Sequence, residues 1–154
     1  MAVAKFSELS VRQQRAALLA IAEKALEGYE LRAERVRLIN SGFNATCGVG
    51  ADAGERFALR ININSHRTPA NVRAEVSWTE ALSREEHITV ARPQRTLAGG
   101  LIGEVRSEYF TAPRPVVLYS WLGGRDVSEV ETPEKFWATG VAMAHLHEHT
   151  REWA

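Results

Sequence analysis

Arg56-Phe57-Ala58-Leu59-Arg60-Ile61 is the stretch that decides the fold. At period two, Phe57, Leu59 and Ile61, continued by Ile63, fall on one face of a strand, while Ala58, Arg60 and Asn62 fall on the other. One face commits four large apolar side chains to a core. The opposite face sets a small residue beside a long cation. Taken alone, the strand fits an edge position with one solvated arginine, the plainer reading, or a surface with room for an anionic ligand. Glu75, in the helical segment that follows, bears on the choice.

The flanking sequence extends the pattern. Upstream, Val36-Arg37-Leu38-Ile39 and Ala45 to Ala51 read as strands, separated by Asn40-Ser41-Gly42 and followed by Asp52-Ala53-Gly54, both good turn chemistry. Connections this short make an antiparallel meander. Further upstream, Ser10 and Gln13 form a capping-box pattern, and Leu18, Leu19, Ala22, Ala25 and Leu26 recur at helical spacing until Gly28. Downstream, Thr68-Pro69 predicts a helix start, with Val72, Trp78, Ala81 and Leu82 on its apolar side through about Ser83. A hairpin is predicted in which Ala98-Gly99-Gly100 joins Gln94–Leu97 to Leu101–Val105. Val116-Val117-Leu118-Tyr119 reads as a central strand buried on both faces. Thr132-Pro133 opens a last helix, with Phe136, Gly140, Met143 and His147 on one stripe and Trp137, Val141 and Ala144 on its neighbour. The expected fold is α+β, with an antiparallel sheet of about five or six strands.

Composition narrows the function. The chain has 154 residues, 45% apolar and 25% charged, as expected of one globular domain. Nineteen basic residues balance nineteen acidic ones, which removes the broad electrostatic footprint of a nucleic-acid binder. No segment has the length of a membrane span, and Lys5 and Glu8 interrupt the region where a signal peptide needs an apolar run. The lone Cys47 allows no intrachain disulfide and no cysteine-based metal site, so a reducing cytoplasm is expected. His145 and His149, four apart on one helical face, are the one metal-ligand spacing, with no third ligand evident.

In order and spacing, these segments resemble the nucleotide-binding lobe of the kinase-like phosphotransferases, most of all the aminoglycoside phosphotransferase family with its choline and homoserine kinases. Four places carry the likeness. Ile39-Asn40-Ser41-Gly42-Phe43-Asn44-Ala45-Thr46 is similar to the family's phosphate-covering turn, and Phe57 to Ile61 to its third strand, where several members carry arginine. Glu75 within Arg73-Ala74-Glu75-Val76-Ser77-Trp78 is similar to the paired helical glutamate. Val116 to Gly124 resembles the strand and hinge, and Gly140 to His147 the helix that begins the second lobe.

The resemblance implies an N-terminal helix over 1–29, a nucleotide-binding lobe over 30–124, and a hinge-following segment with the first helix of the second lobe over 125–154. It implies ATP as cofactor, held by Ser41, Gly42, Phe43, Asn44, Thr46, Ala58, Arg60, Glu75, Ser120 and Leu122. The chemistry agrees. Phosphoryl transfer needs charge neutralisation and in-line positioning more than covalent participation. A guanidinium fork suits two phosphate oxygens, and a glutamate can hold that fork in place. Ala58 is small enough to let a purine lie against the sheet, and Gly42 allows close approach of backbone to phosphate. Ser120 and Leu122 would offer backbone groups to the base edge.

The family's catalytic loop, His-x-Asp-x-x-x-x-Asn, and the magnesium-binding aspartate after it do not occur in the sequence. Asp52 and Asp126 are its only aspartates. Without those acids no group takes the hydroxyl proton and none cradles magnesium. The expectation is therefore half of an active site: a shortened small-molecule kinase, a non-catalytic nucleotide-binding module that pairs with a separate second lobe, or an interaction protein that keeps the lobe's shape. Expected partners are the nucleotide and a second lobe or another copy against the last helix, with neither nucleic acid nor membrane.

Overall fold

The computed structural model describes residues 5–64, 67–85, 87–124 and 132–153. Asp126 and most of the segment between hinge and last helix lie outside them.

A five-stranded antiparallel sheet in the order β1-β2-β3-β5-β4 forms the centre. Its strands are β1 (Ala33–Ser41), β2 (Asn44–Ala51), β3 (Arg56–Asn62), β4 (Gly103–Val105) and β5 (Arg114–Ser120). Among the described residues, three helices, α1 (Val11–Leu26), α2 (Pro69–Leu82) and α3 (Pro133–Glu152), accompany the sheet, with single 3-10 turns at Phe6–Glu8 and Asp52–Gly54. The expected α+β fold is present.

Local chemistry explains the boundaries. The Ser10 hydroxyl accepts from the Gln13 amide while the Gln13 side chain accepts from the Ser10 amide, so two otherwise unpaired donors at the start of α1 are satisfied. Thr68 and Asn71 do the same for α2, with Pro69 at its first position. Between β2 and β3 the chain turns through Ala53 at φ 59° and Gly54 at φ 79°. Two successive left-handed residues make the turn tight, and the alanine carries the strain.

The period-two pattern of β3 decides what lies on each side of the sheet. Leu59, Ile61 and Ile63 are buried with Ala45, Cys47 and Val49 of β2 and Val116 and Leu118 of β5, beneath Leu18, Ile21, Ala22 and Ala25 of α1. On the opposite side, α2 covers only part of the sheet, where Val72 and Val76 pack on Val117 and Tyr119. β5 is thus buried on both faces, as its continuous apolar run predicts. The rest of that second face, over β1, β2 and β3, is open.

β1 is the outermost strand on its side. None of its nine residues is buried, and its pairing with β2 is broken between Ala33 and Arg35 and again between Leu38 and Asn40.

The predicted hairpin around Ala98-Gly99-Gly100 is not formed as such. The turn exists, closed by the Thr96 amide donating to the Gly100 carbonyl at 2.8 Å, with Gly99 at φ 85°. Its arms do not pair with each other. Gln94 donates to Leu118 and Ser120 donates to Arg92, while Leu97 donates to Gly28 at the end of α1. β4 pairs with the other half of β5. The edge of β5 offers more hydrogen bonds than a short isolated hairpin can make, so the start of the first arm and the end of the second lie along β5, while Thr96 and Leu97 pair with Tyr29 and Gly28.

α3 buries none of its residues. Phe136, Trp137 and Met143 are exposed. It meets the rest of the molecule near its C-terminal end, where the Trp78 indole N–H donates to His149 Nδ1 at 3.1 Å and the His87 and His145 rings stack at 5.6 Å.

Candidate nucleotide site

The open face carries every residue that β2 and β3 direct away from α1. Asn44, Thr46, Gly48 and Gly50 alternate along β2, opposite Asn62, Arg60, Ala58 and Arg56 of β3. Opposite Gly48 and Gly50 on the other side stand Arg37 and Arg35 of β1. The centre of this face, at Gly48, Gly50 and Ala58, has almost no side chain, and arginines surround it. A groove of about 410 Å³ runs over Gly48 and Gly50 to Trp121, lined also by Arg35, Arg37 and Arg56. The Arg56 guanidinium lies over the Trp121 ring, 4.2 Å from its centroid, and fixes the wall at the end of β5.

Gly48 keeps the groove floor low. A Cβ there would stand 3.2 Å from Ile39 Cδ1 and 3.3 Å from Arg37 Nε, so the β1 side chains already lie across the glycine. Gly42, by contrast, has an ordinary φ and nothing within 4 Å of a Cβ, so only what approaches from outside could require a glycine there.

Arg60 and Glu75 meet. One Nη of Arg60, on β3, donates to Glu75 Oε1, on α2, and the two side chains are 23% and 27% exposed. α2 brings Glu75 to the sheet because Val72 and Val76, on the same helical face, are buried against β5. The Arg60 guanidinium also lies 5.4 Å from the Tyr119 ring centroid. Burial pushes the Tyr119 hydroxyl above its ordinary range, and the charge of Arg60 pulls the other way.

Glu75 has a second partner that the sequence did not suggest. Its Oε2 accepts from Arg67 Nη1, and Arg67 is 56% exposed. Arg67 immediately precedes the capping Thr68, and the only signal for it was a cation one residue before a strong helix start. Arg60, Arg67, Glu75, Asn44 and Asn62 line a single recess of about 10 Å³. That is the size of one water, too small to enclose a phosphate.

The turn between β1 and β2 is short and tied down. The Gly42 amide donates to the Asn44 carbonyl at 3.0 Å, the Asn64 amide donates to the Phe43 carbonyl at 3.0 Å, and the Asn64 side chain donates to the Gly42 carbonyl at 3.2 Å. Phe43 stands exposed at its tip, beside exposed Ser41. At the far end of the face, Ser120 is occupied. Its amide donates to the Arg92 carbonyl and its hydroxyl accepts from the Arg92 amide, each at 2.9 Å. Leu122 follows, 45% exposed. Thus Asn44, Thr46, Ala58, Arg60 and Glu75 come together on one face, with Ser41, Gly42 and Phe43 at one end and Ser120 and Leu122 at the other.

The histidine pair reads differently. His149 Nδ1 is taken by Trp78, His145 stacks on His87, and among the described residues no group of three or more His, Cys, Asp or Glu is arranged to hold a metal. Cys47 is fully buried, with its thiol pushed up to about 11 by burial alone. Among the described residues no helix is long and apolar enough to cross a membrane.

No protein-family model and no curated protein matches the sequence. Solved structures do. A microcompartment-associated aminopropanol kinase superposes over 88% of this chain with a TM-score of 0.72 and 30% sequence identity. An amicoumacin kinase, solved with AMP-PNP, Ca2+ and Ami, matches 75% of the chain with a TM-score of 0.60 and 19% identity, which speaks for the fold alone. The chain spans 41% of the first and 35% of the second. Over the part it shares with them, the chain has the kinase-like fold of these phosphotransferases, which supports the aminoglycoside phosphotransferase type with partial coverage, and it spans less than half the length of either kinase.

Proposed function

We propose that this chain is the nucleotide-binding portion of a small-molecule phosphotransferase, the class that transfers the terminal phosphoryl group of ATP to a hydroxyl. The observation that carries the reading is the Arg60–Glu75 pair, set on the open face beside the side-chain-poor surface of Gly48, Gly50 and Ala58. A partly buried cation held in place beside a floor with so little side chain of its own suits a ligand that is anionic at one end and flat at the other.

The residues fit the ligand chemistry. Arg60 would take phosphate oxygens, with Glu75 limiting the rotamers it must lose. Ala58 would accept the flat base. At the end of β5 the Ser120 amide is already committed to Arg92, so the backbone at Leu122 is the donor toward the base edge. Ser41 to Asn44 would close over the phosphates, and Thr46 stands directly opposite Arg60. ATP supplies the transferable phosphoryl group. These 154 residues hold no His-x-Asp-x-x-x-x-Asn loop, so they bind and position without transferring.

Titration calorimetry tests this directly. Wild-type chain should bind ATP weakly, and Arg60→Ala should reduce the affinity at least tenfold, the loss of a charge-assisted contact. Absence of heat with wild-type protein would overturn the nucleotide reading.

A further inference from the structure

Glu75 is one carboxylate placed between two guanidinium groups, one on each oxygen. Among the described contacts, this one carboxylate thus serves two cations. The two arginines differ in depth. Arg60 rises from the sheet and is 23% exposed, while Arg67 stands at the rim and is 56% exposed. Both line the recess that Asn44 and Asn62 complete, next to the turn that Asn64 ties to the end of β3. An anion arriving at the mouth meets two forked cations at once, already oriented by a shared carboxylate. One phosphate can satisfy one fork. A chain of phosphates has the length and charge for both.

We propose that Arg60 and Arg67 form a two-guanidinium clamp for a polyphosphate chain, with Arg67 as a binding residue that selects nucleoside triphosphate over monophosphate. The clamp rests on the nucleotide reading above. Glu75 acts as the positioning residue for both forks.

The test compares ATP, AMP and inorganic tripolyphosphate by calorimetry on the full 154-residue chain, as wild type, Arg67→Gln and Arg67→Lys. Arg67→Gln should weaken ATP and tripolyphosphate about tenfold or more, leave AMP within twofold, and flatten the salt dependence of ATP binding. Arg67→Lys keeps the charge without the fork and should fall between the two. Equal losses for ATP and AMP, or no loss for either, would overturn the clamp. Wild type that binds neither ATP nor tripolyphosphate sinks the clamp and the nucleotide reading together. ATP binding that falls with Arg60→Ala and is untouched by Arg67→Gln removes the clamp alone.

Discussion

Replacing Glu75 with glutamine keeps the side chain's shape and removes the charge that two arginines share. The pair with Arg67 is near the surface, with Arg67 56% exposed, so its loss is worth less than about 1 kcal/mol. The pair with Arg60 is about three-quarters buried. Breaking a fully buried pair costs about 3–5 kcal/mol, because the remaining charge is left without a partner, and discounting for the exposure here gives about 1–2 kcal/mol. Glu75→Gln should therefore destabilise by about 2 kcal/mol. In a chain of this size that lowers the melting temperature by about 4–8 °C.

Arg67→Gln alone should cost under about 1 kcal/mol. The double variant Glu75→Gln/Arg67→Gln should be more stable than Glu75→Gln, since Arg60 then has no like charge beside it. Urea denaturation with an unchanged m-value measures all three, and in 1 M salt the differences should shrink. Glu75→Gln within about 0.5 kcal/mol of wild type, or a double variant that falls by the sum of the singles, would refute the shared-carboxylate account.

Two further outcomes follow from buried groups and the groove. Gly48→Val should change stability by less than about 1 kcal/mol, because the atoms it meets are ends of flexible side chains and strands favour a branched residue over glycine. The same change fills the groove floor, so calorimetry should show ATP affinity down at least tenfold. Stability lost by more than about 2 kcal/mol with ATP affinity intact would show the floor to be structural only. Alkali should lower the protein's stability over two overlapping pH windows. Burial raises the Cys47 thiol from 9.0 to about 11 and the Tyr29 hydroxyl from 10.0 to about 12. The unfolded chain releases these protons first, so stability is intact below pH 9 and declines as pH rises through 11 and 12. Urea midpoints taken across that range check the sign, and Cys47→Ala should delay the onset. A midpoint that stays flat from pH 9 to pH 12 contradicts the burial of both groups.

Much of the fold was legible because local rules agreed with the global ones. The alternation of Phe57, Leu59, Ile61 and Ile63, the caps at Ser10 and Thr68, and the apolar run of β5 each have one structural solution. The arms around Gly99 misled because pairing partners are set by which edge is available, and nothing local to Gln94–Leu97 announces the edge of β5. The candidate site divides the same way. Arg60 with Glu75 could be paired by spacing once a helix was placed after β3. Arg67 could not, because an arginine beside a helix cap is ordinarily a solvated charge, and only the position of α2 on the sheet turns it toward Glu75. The same holds for Arg56 and Trp121, which lie 65 positions apart in sequence and meet only through the alignment of β3 with β5.

An open sheet edge usually invites another chain to extend it, since a row of unsatisfied amides and carbonyls is a template for pairing. β1 is such an edge, nine residues long and next to the open face of the sheet. Its two register breaks bend the row out of flatness. Glu34, Arg35 and Arg37 set charges along it. Straightening β1, or replacing those charges with apolar residues, would turn the rim of the groove into a site for aggregation, so the irregularities keep the face open as well as shaping it.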